Sequence, residues 1–222
     1  MKNRTTCMSL LVVATHIALG ALAAAPSQST SGDRTPLIDQ QREFALALSA
    51  CPPDLAEKAG VYVLGKAGYI KVRESQNGFS AIVGHLIPTS VEPQCLDAEG
   101  TRVHLPPILK LEEWRAQGKR PDQFKQLMME ATAKGLFPQP KRIYIDYMLS
   151  TENLPPANAG TGAPAPYPPH VMFFAPGVTN ADFGSNGQDD ATVLVTAEGT
   201  SHAVIIVPVA QNVAAGHKHP NE

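Results

Sequence analysis

Aromatic side chains are scarce in this chain, 6% of 222 residues with a single tryptophan. That argues against a surface built for stacking on sugars or bases. Runs of Lys or Arg are missing too: 18 basic residues stand against 20 acidic ones, for a formal net charge of −2. The phosphate attraction that dominates nucleic-acid binding has no source here, so no nucleic-acid partner is expected. Past the first 25 residues no apolar stretch approaches the ~20 residues that span a bilayer, and the chain is not expected to cross a membrane. Familiar catalytic signatures are absent. There is no Gly-x-Ser-x-Gly elbow, no phosphate-binding Gly-Lys-Ser/Thr loop, no His-Glu-x-x-His and no Cys-x-x-Cys. Those absences lower the expectation of a well-known hydrolase or nucleotide enzyme and leave room for an unfamiliar one.

What is present begins with the leader. Lys2 and Arg4 give a positive start, Leu10 to Leu22 form an apolar run, and Ala23-Ala24-Ala25 satisfies the small-x-small cleavage rule. Residues 1–25 therefore read as a signal peptide, and the mature protein is expected to be periplasmic or secreted. Thr15, His16 and Gly20 interrupt the run, which is also too short for an anchor. Loss of Lys2 and Arg4 makes the net charge two units more negative. The remaining ~200 residues suffice for one domain with a real core.

Cysteine usage agrees with export. Cys7 leaves with the leader, and the even pair Cys51 and Cys95 remains. In an oxidising compartment such a pair is expected to form a disulfide. Leu48-Ser49-Ala50-Cys51 also matches a lipoprotein box, but Asp39, Arg42 and Glu43 separate it from the leader's apolar run, which argues against lipidation.

Residues 26–34 form a small, polar, flexible lead-in. Thr35-Pro36 predicts a helix start, with Leu37, Phe44 and Leu48 at helical spacing through residue 50. Asp54 is read as capping one more turn before Gly60. Strands are expected at 61–64, 69–74 and 79–87, with Asn77-Gly78 joining the last two as a type I′ hairpin. Helices follow at 107–117 and 121–134, with Trp114, Met128 and Met129 read as core. A strand at 142–149 precedes a stretch from Leu154 to Pro169 that holds six prolines, read as a surface loop. Three strands, 170–175, 192–196 and 202–209, complete a single domain over 35–209, followed by a disordered tail over 210–222. The expected fold is α+β: an antiparallel sheet of about six or seven strands with helices packed on one side.

Three segments, NGFSAIVGHLIPTSVEPQCLDAEGT (77–101), PPHVMFFAPGVTNADFG (168–184) and GTSHAVIIVPV (199–209), resemble an uncharacterised family of exported bacterial proteins. The resemblance spans residues 42–209 and implies a bacterial, extracytoplasmic setting. It carries no activity and no catalytic residue.

Candidate chemistry comes from placement. If the last three strands form a meander, His170 and His202 begin parallel strands about 10 Å apart across the middle one. Glu198 lies in the turn at the same end. The pair could then hold a divalent transition metal, with Glu198 as third ligand or base. The plainer reading is that each histidine satisfies backbone groups at a strand start. Asn180, Asp182, Ser185, Asn186, Asp189 and Asp190 offer oxygen ligands for calcium, though without EF-hand spacing and with ordinary turn chemistry as the alternative. His85 reads as buried or at an edge, Glu92 as a groove residue under the Pro-rich loop, and His217 and His219 as weak metal-catching groups in the tail. Two functions compete. The favoured one is a non-catalytic binding or interaction module of the cell envelope, with no cofactor and a small molecule or envelope protein as partner. The alternative is a metal-dependent hydrolase or lyase using His170 and His202.

Overall fold

The computed structural model describes residues 34–155, 166–187 and 193–209. The leader, most of the lead-in, the middle of the Pro-rich stretch, Asp189, Asp190 and the tail, with His217 and His219, lie outside them.

The helices are α1 (Gln40–Leu48), α2 (Pro53–Ala56), α3 (Ala98–Val103), α4 (Leu105–Ala116) and α5 (Pro121–Ala133). α1 starts later than Thr35-Pro36 suggests. The Thr35 hydroxyl donates to Glu112 Oε1 (3.0 Å), and Asp39 is the cap that accepts from Arg42 N (3.1 Å). The inward face of α1 is also rotated from the expected one. Glu43, Leu46 and Ala47 are buried, whereas Leu37 is half exposed. Proline opens α4 and α5 where no N–H is needed, and α5 ends where Gly135 takes φ 69°.

The strands are β1 (Gly60–Gly65), β2 (Gly68–Arg73), β3 (Ser80–Gly84), β4 (Glu92–Leu96), β5 (Tyr144–Met148), β6 (His170–Phe174), β7 (Leu194–Thr196) and β8 (Val204–Pro208). They form one eight-stranded sheet in the order β2-β1-β3-β4-β5-β6-β8-β7. The α+β class holds. The sheet is larger than expected by one or two strands and is mixed, because β1 and β3 run parallel.

Two local expectations fail for identifiable reasons. β1 lies between β2 and β3, so Asn77-Gly78 does not close a hairpin. A type I′ turn needs positive φ at both central residues, and here only Gly78 has it (82°). Asn77 instead donates from Nδ2 to Leu55 O (2.9 Å) and accepts from Phe79 N (3.1 Å), which fixes a crossover past β1. The last three strands are not a meander either: β6 pairs directly with β8, and β7 is the edge. Unpredicted β4 contains Pro93, which disguised it. Pro93 is tolerated because β5 pairs with β4 only at Cys95 and Leu96.

Alternation along the strands sends Val61, Val63, Ala81, Val83 and Cys95 against Leu46, Ala47 and Ala50 of the α1 segment. Ile82 and Leu96 pack instead with Leu105, Ile108 and Leu109 of α4. Helices thus gather over the β1–β5 part of the sheet. Cys51 and Cys95 lie at disulfide distance, 2.02 Å between sulfurs, and tie the end of α1 to β4. Trp114 is buried as expected, whereas Met129 is 52% exposed. No helix among the described residues is long and apolar enough to cross a membrane.

Candidate functional site

A polar cluster forms where the chain before α1 crosses the end of α4 and the β1–β2 turn. Arg34 donates to Ala116 O (2.8 Å) and Lys66 O (3.4 Å), bridging helix end and turn. Buried Thr35 donates to Glu112, and Glu112 accepts in turn from Arg115 one helical turn later. Arg115, 3% exposed, also donates to His85 O (2.6 Å) and Leu86 O (2.7 Å). One guanidinium therefore holds the loop after β3 onto α4. Behind it, Glu43 of α1 accepts from Leu64 N (2.7 Å) at the end of β1. Between these groups opens a cleft of about 80 Å³, walled by Thr35, Leu37, Leu64, Lys66, Glu112 and Arg115, with Arg34 at its mouth.

Burial sets the electrostatics. It pushes the Glu43 carboxyl up to about 7, helped by the Glu112 charge and opposed by the Leu64 N–H. Burial also raises Glu112, against the pull of Arg115, and lowers His85. His85 Nδ1 carries the ring proton, since its partner is the Ser90 carbonyl. Three buried polar atoms here have no partner among the described residues: Glu43 Oε2, His85 Nε2 and Arg115 Nε. Orphaned groups of this kind are uncommon in folded proteins, and clusters of perturbed titratable groups mark functional sites more often than chance. The arrangement suits recognition. The one hydroxyl in the wall, on Thr35, is donated to Glu112, and Arg115 is pinned by two carbonyls and a carboxylate.

The residues singled out in the sequence lie elsewhere. His170 is buried at the start of β6, opposite Pro208, with Nδ1 2.9 Å from Pro168 O and the Tyr167 ring edge-on. Burial lowers its pKa. His202 is exposed in the β7–β8 turn, just before Val204, which pairs with Phe174 at the far end of β6. Direct β6–β8 pairing thus puts the two imidazoles at opposite ends of the ladder, where the expected meander would have put them together. Glu198 shares the His202 end, and its carboxylate accepts from Asn180 N (2.9 Å) and Nδ2 (3.1 Å). Among the described residues no cluster of three or more His, Cys, Asp or Glu side chains could hold a metal.

In the loop read for calcium, Asn180 bonds both backbone groups of Val195, and Asp182 accepts from Thr179 N and Oγ1. The Asp182 bonds are turn bonds, and those of Asn180 tie the loop to β7. His85 is buried as expected, and Glu92 accepts from Ser90 Oγ and Leu86 N. Sequence reasoning passed over Thr35, Glu43, Glu112 and Arg115. The available signals were a carboxylate at an inward helical position (Glu43 with Leu46, Ala47 and Ala50) and an i,i+3 Glu–Arg pair flanking Trp114.

Comparison of the chain with protein-family models, with curated proteins and with solved structures finds no match.

Proposed function

We propose that the protein is an exported, non-catalytic binding module of the cell envelope, and that the cleft at Thr35, Glu112 and Arg115 is its ligand site. The leader anatomy, the cysteine pair at disulfide distance and the resemblance to exported bacterial proteins support the compartment. The observation that carries the binding reading is the cleft itself. Its buried polar groups are fixed in place by one another before any ligand arrives, which is the preorganisation that recognition requires. A thermal-shift screen with short carboxylates, amines and sugars tests it. A ligand at about 100 times its Kd adds roughly 2.7 kcal/mol and raises Tm by several degrees. Thr35→Val should abolish the shift, and mass spectrometry should recover the ligand chemically unchanged. Turnover of the ligand, or a shift indifferent to Thr35→Val, contradicts the reading.

A further inference from the structure

We infer that the cleft takes the carboxylate group of a small organic anion, an inference that rests on the cleft being a ligand site at all. Four charged side chains border it. Glu112 is matched by Arg115 inside the wall. Arg34 and Lys66, both exposed at the mouth, have no carboxylate partner among the described residues. The next carboxyl inward, Glu43, sits in surroundings that favour its neutral form. The local field is therefore positive, in a chain whose overall charge is negative.

Arg115 lines the wall, with its guanidinium over the Phe124 ring and its Nε buried behind the cleft surface. Arg115 is 97% removed from solvent, and among the described residues its Nε–H meets no acceptor. A buried guanidinium donor without a partner costs free energy that an incoming anion would return, and a planar carboxylate matches a guanidinium best. Neutral donors such as amides gain less, and ammonium ligands meet two like charges.

Size and lining narrow the class. At about 80 Å³ the cleft is roughly half the ~150 Å³ that admits benzene, so it accommodates a carboxylate head but not a sugar ring. Leu37 lines the rim while 51% exposed. It offers an apolar surface for a short alkyl substituent leading out of the cleft. The ligand is thus a monocarboxylate with an apolar neighbour, either a free short-chain acid or the C-terminus of a peptide.

Titration calorimetry on the purified protein tests this with butyrate, butanamide and butylammonium. Butyrate is expected to bind saturably in the millimolar range, butanamide at least about tenfold more weakly, and butylammonium not at all. The double variant Arg34→Gln, Lys66→Gln removes both mouth cations, and with Arg34 its bonds to Ala116 O and Lys66 O, and should weaken butyrate about tenfold and flatten its dependence on NaCl. Acetyl-Ala-Leu with a free or amidated C-terminus separates the two sources. Tighter binding of the peptide acid than of butyrate assigns a peptide terminus, and the reverse assigns a free acid. Equal binding of butyrate and butanamide, or an unchanged double variant, overturns the anion class. If Thr35→Val still removes that binding, the ligand site itself stands. No binding by any of these probes to folded protein overturns the inference, and a small amine hit lost in Thr35→Val would then show the site surviving with another ligand.

Discussion

Arg115 of α4 is almost fully buried, 3% exposed. Its guanidinium joins Glu112, Thr35 and the carbonyls of His85 and Leu86. Removing one partner of a buried ion pair costs on the order of 3–5 kcal/mol, because the other charge is left uncompensated. Arg115→Met should therefore lower urea stability by that order, and adding Glu112→Gln should recover part of it. Equal stability of Arg115→Met and wild type would show the pair to be incidental. Glu43 makes a prediction with a definite sign. Its folded pKa of about 7 exceeds its ordinary 4.5, so the folded state binds the proton more tightly than the unfolded one. Its contribution is full below about pH 4.5, declines as pH rises to 7, and is flat above. Roughly 3 kcal/mol is lost across that window. His85 and Asp146 also titrate under burial, so the test is the difference between wild type and Glu43→Gln. The two stability curves should diverge between pH 4.5 and 7 and run parallel above.

Elements were more legible than their connections. Caps and periodicity placed α4, α5, β5, β6 and β8 within a few residues, because those signals are local. Strand order depends on which edge a returning chain meets, and nothing near Asn77 or Ser201 encodes that. The Asn77-Gly78 pair illustrates the difference: a turn signal was real, but the Asn77 side chain serves Leu55 across the crossover. Asn77→Ala should cost about 1 kcal/mol in denaturant unfolding, the usual worth of such a bond. Asn77→Gly should do no better, contrary to what an Asn-Gly hairpin would give. The site was less legible still. Glu112 and Arg115 look like an ordinary exposed i,i+3 pair until the chain before α1 covers them. The cysteine pair was readable from an even count. Closing a loop of 44 residues, it should contribute about 4 kcal/mol on chain-entropy grounds. Cys51→Ser, Cys95→Ser should lose that order of stability, and an unaffected double variant would remove the crosslink from the account.

Across the whole molecule, packing is uneven. β3 is buried at every position and β1 at four of six, whereas most positions in β6 and β8 are only half covered. Native-state hydrogen exchange should accordingly be slowest in β1, β3 and β4 and faster in β6 and β8. Uniform protection across the sheet would contradict that gradient. The cleft sits beside the well-buried β1, held by the chain before α1, by α4 and by the β1–β2 turn, where a preformed site can keep its shape without a ligand. The most direct measurement is the ¹H–¹⁵N NMR signal of the Arg115 Nε–H, assigned by its loss in Arg115→Lys, during titration with butyrate. A saturable downfield shift with the same midpoint as calorimetry, absent with butanamide, is expected. A resonance that stays fixed while butyrate saturates the protein would place the ligand elsewhere and contradict the account.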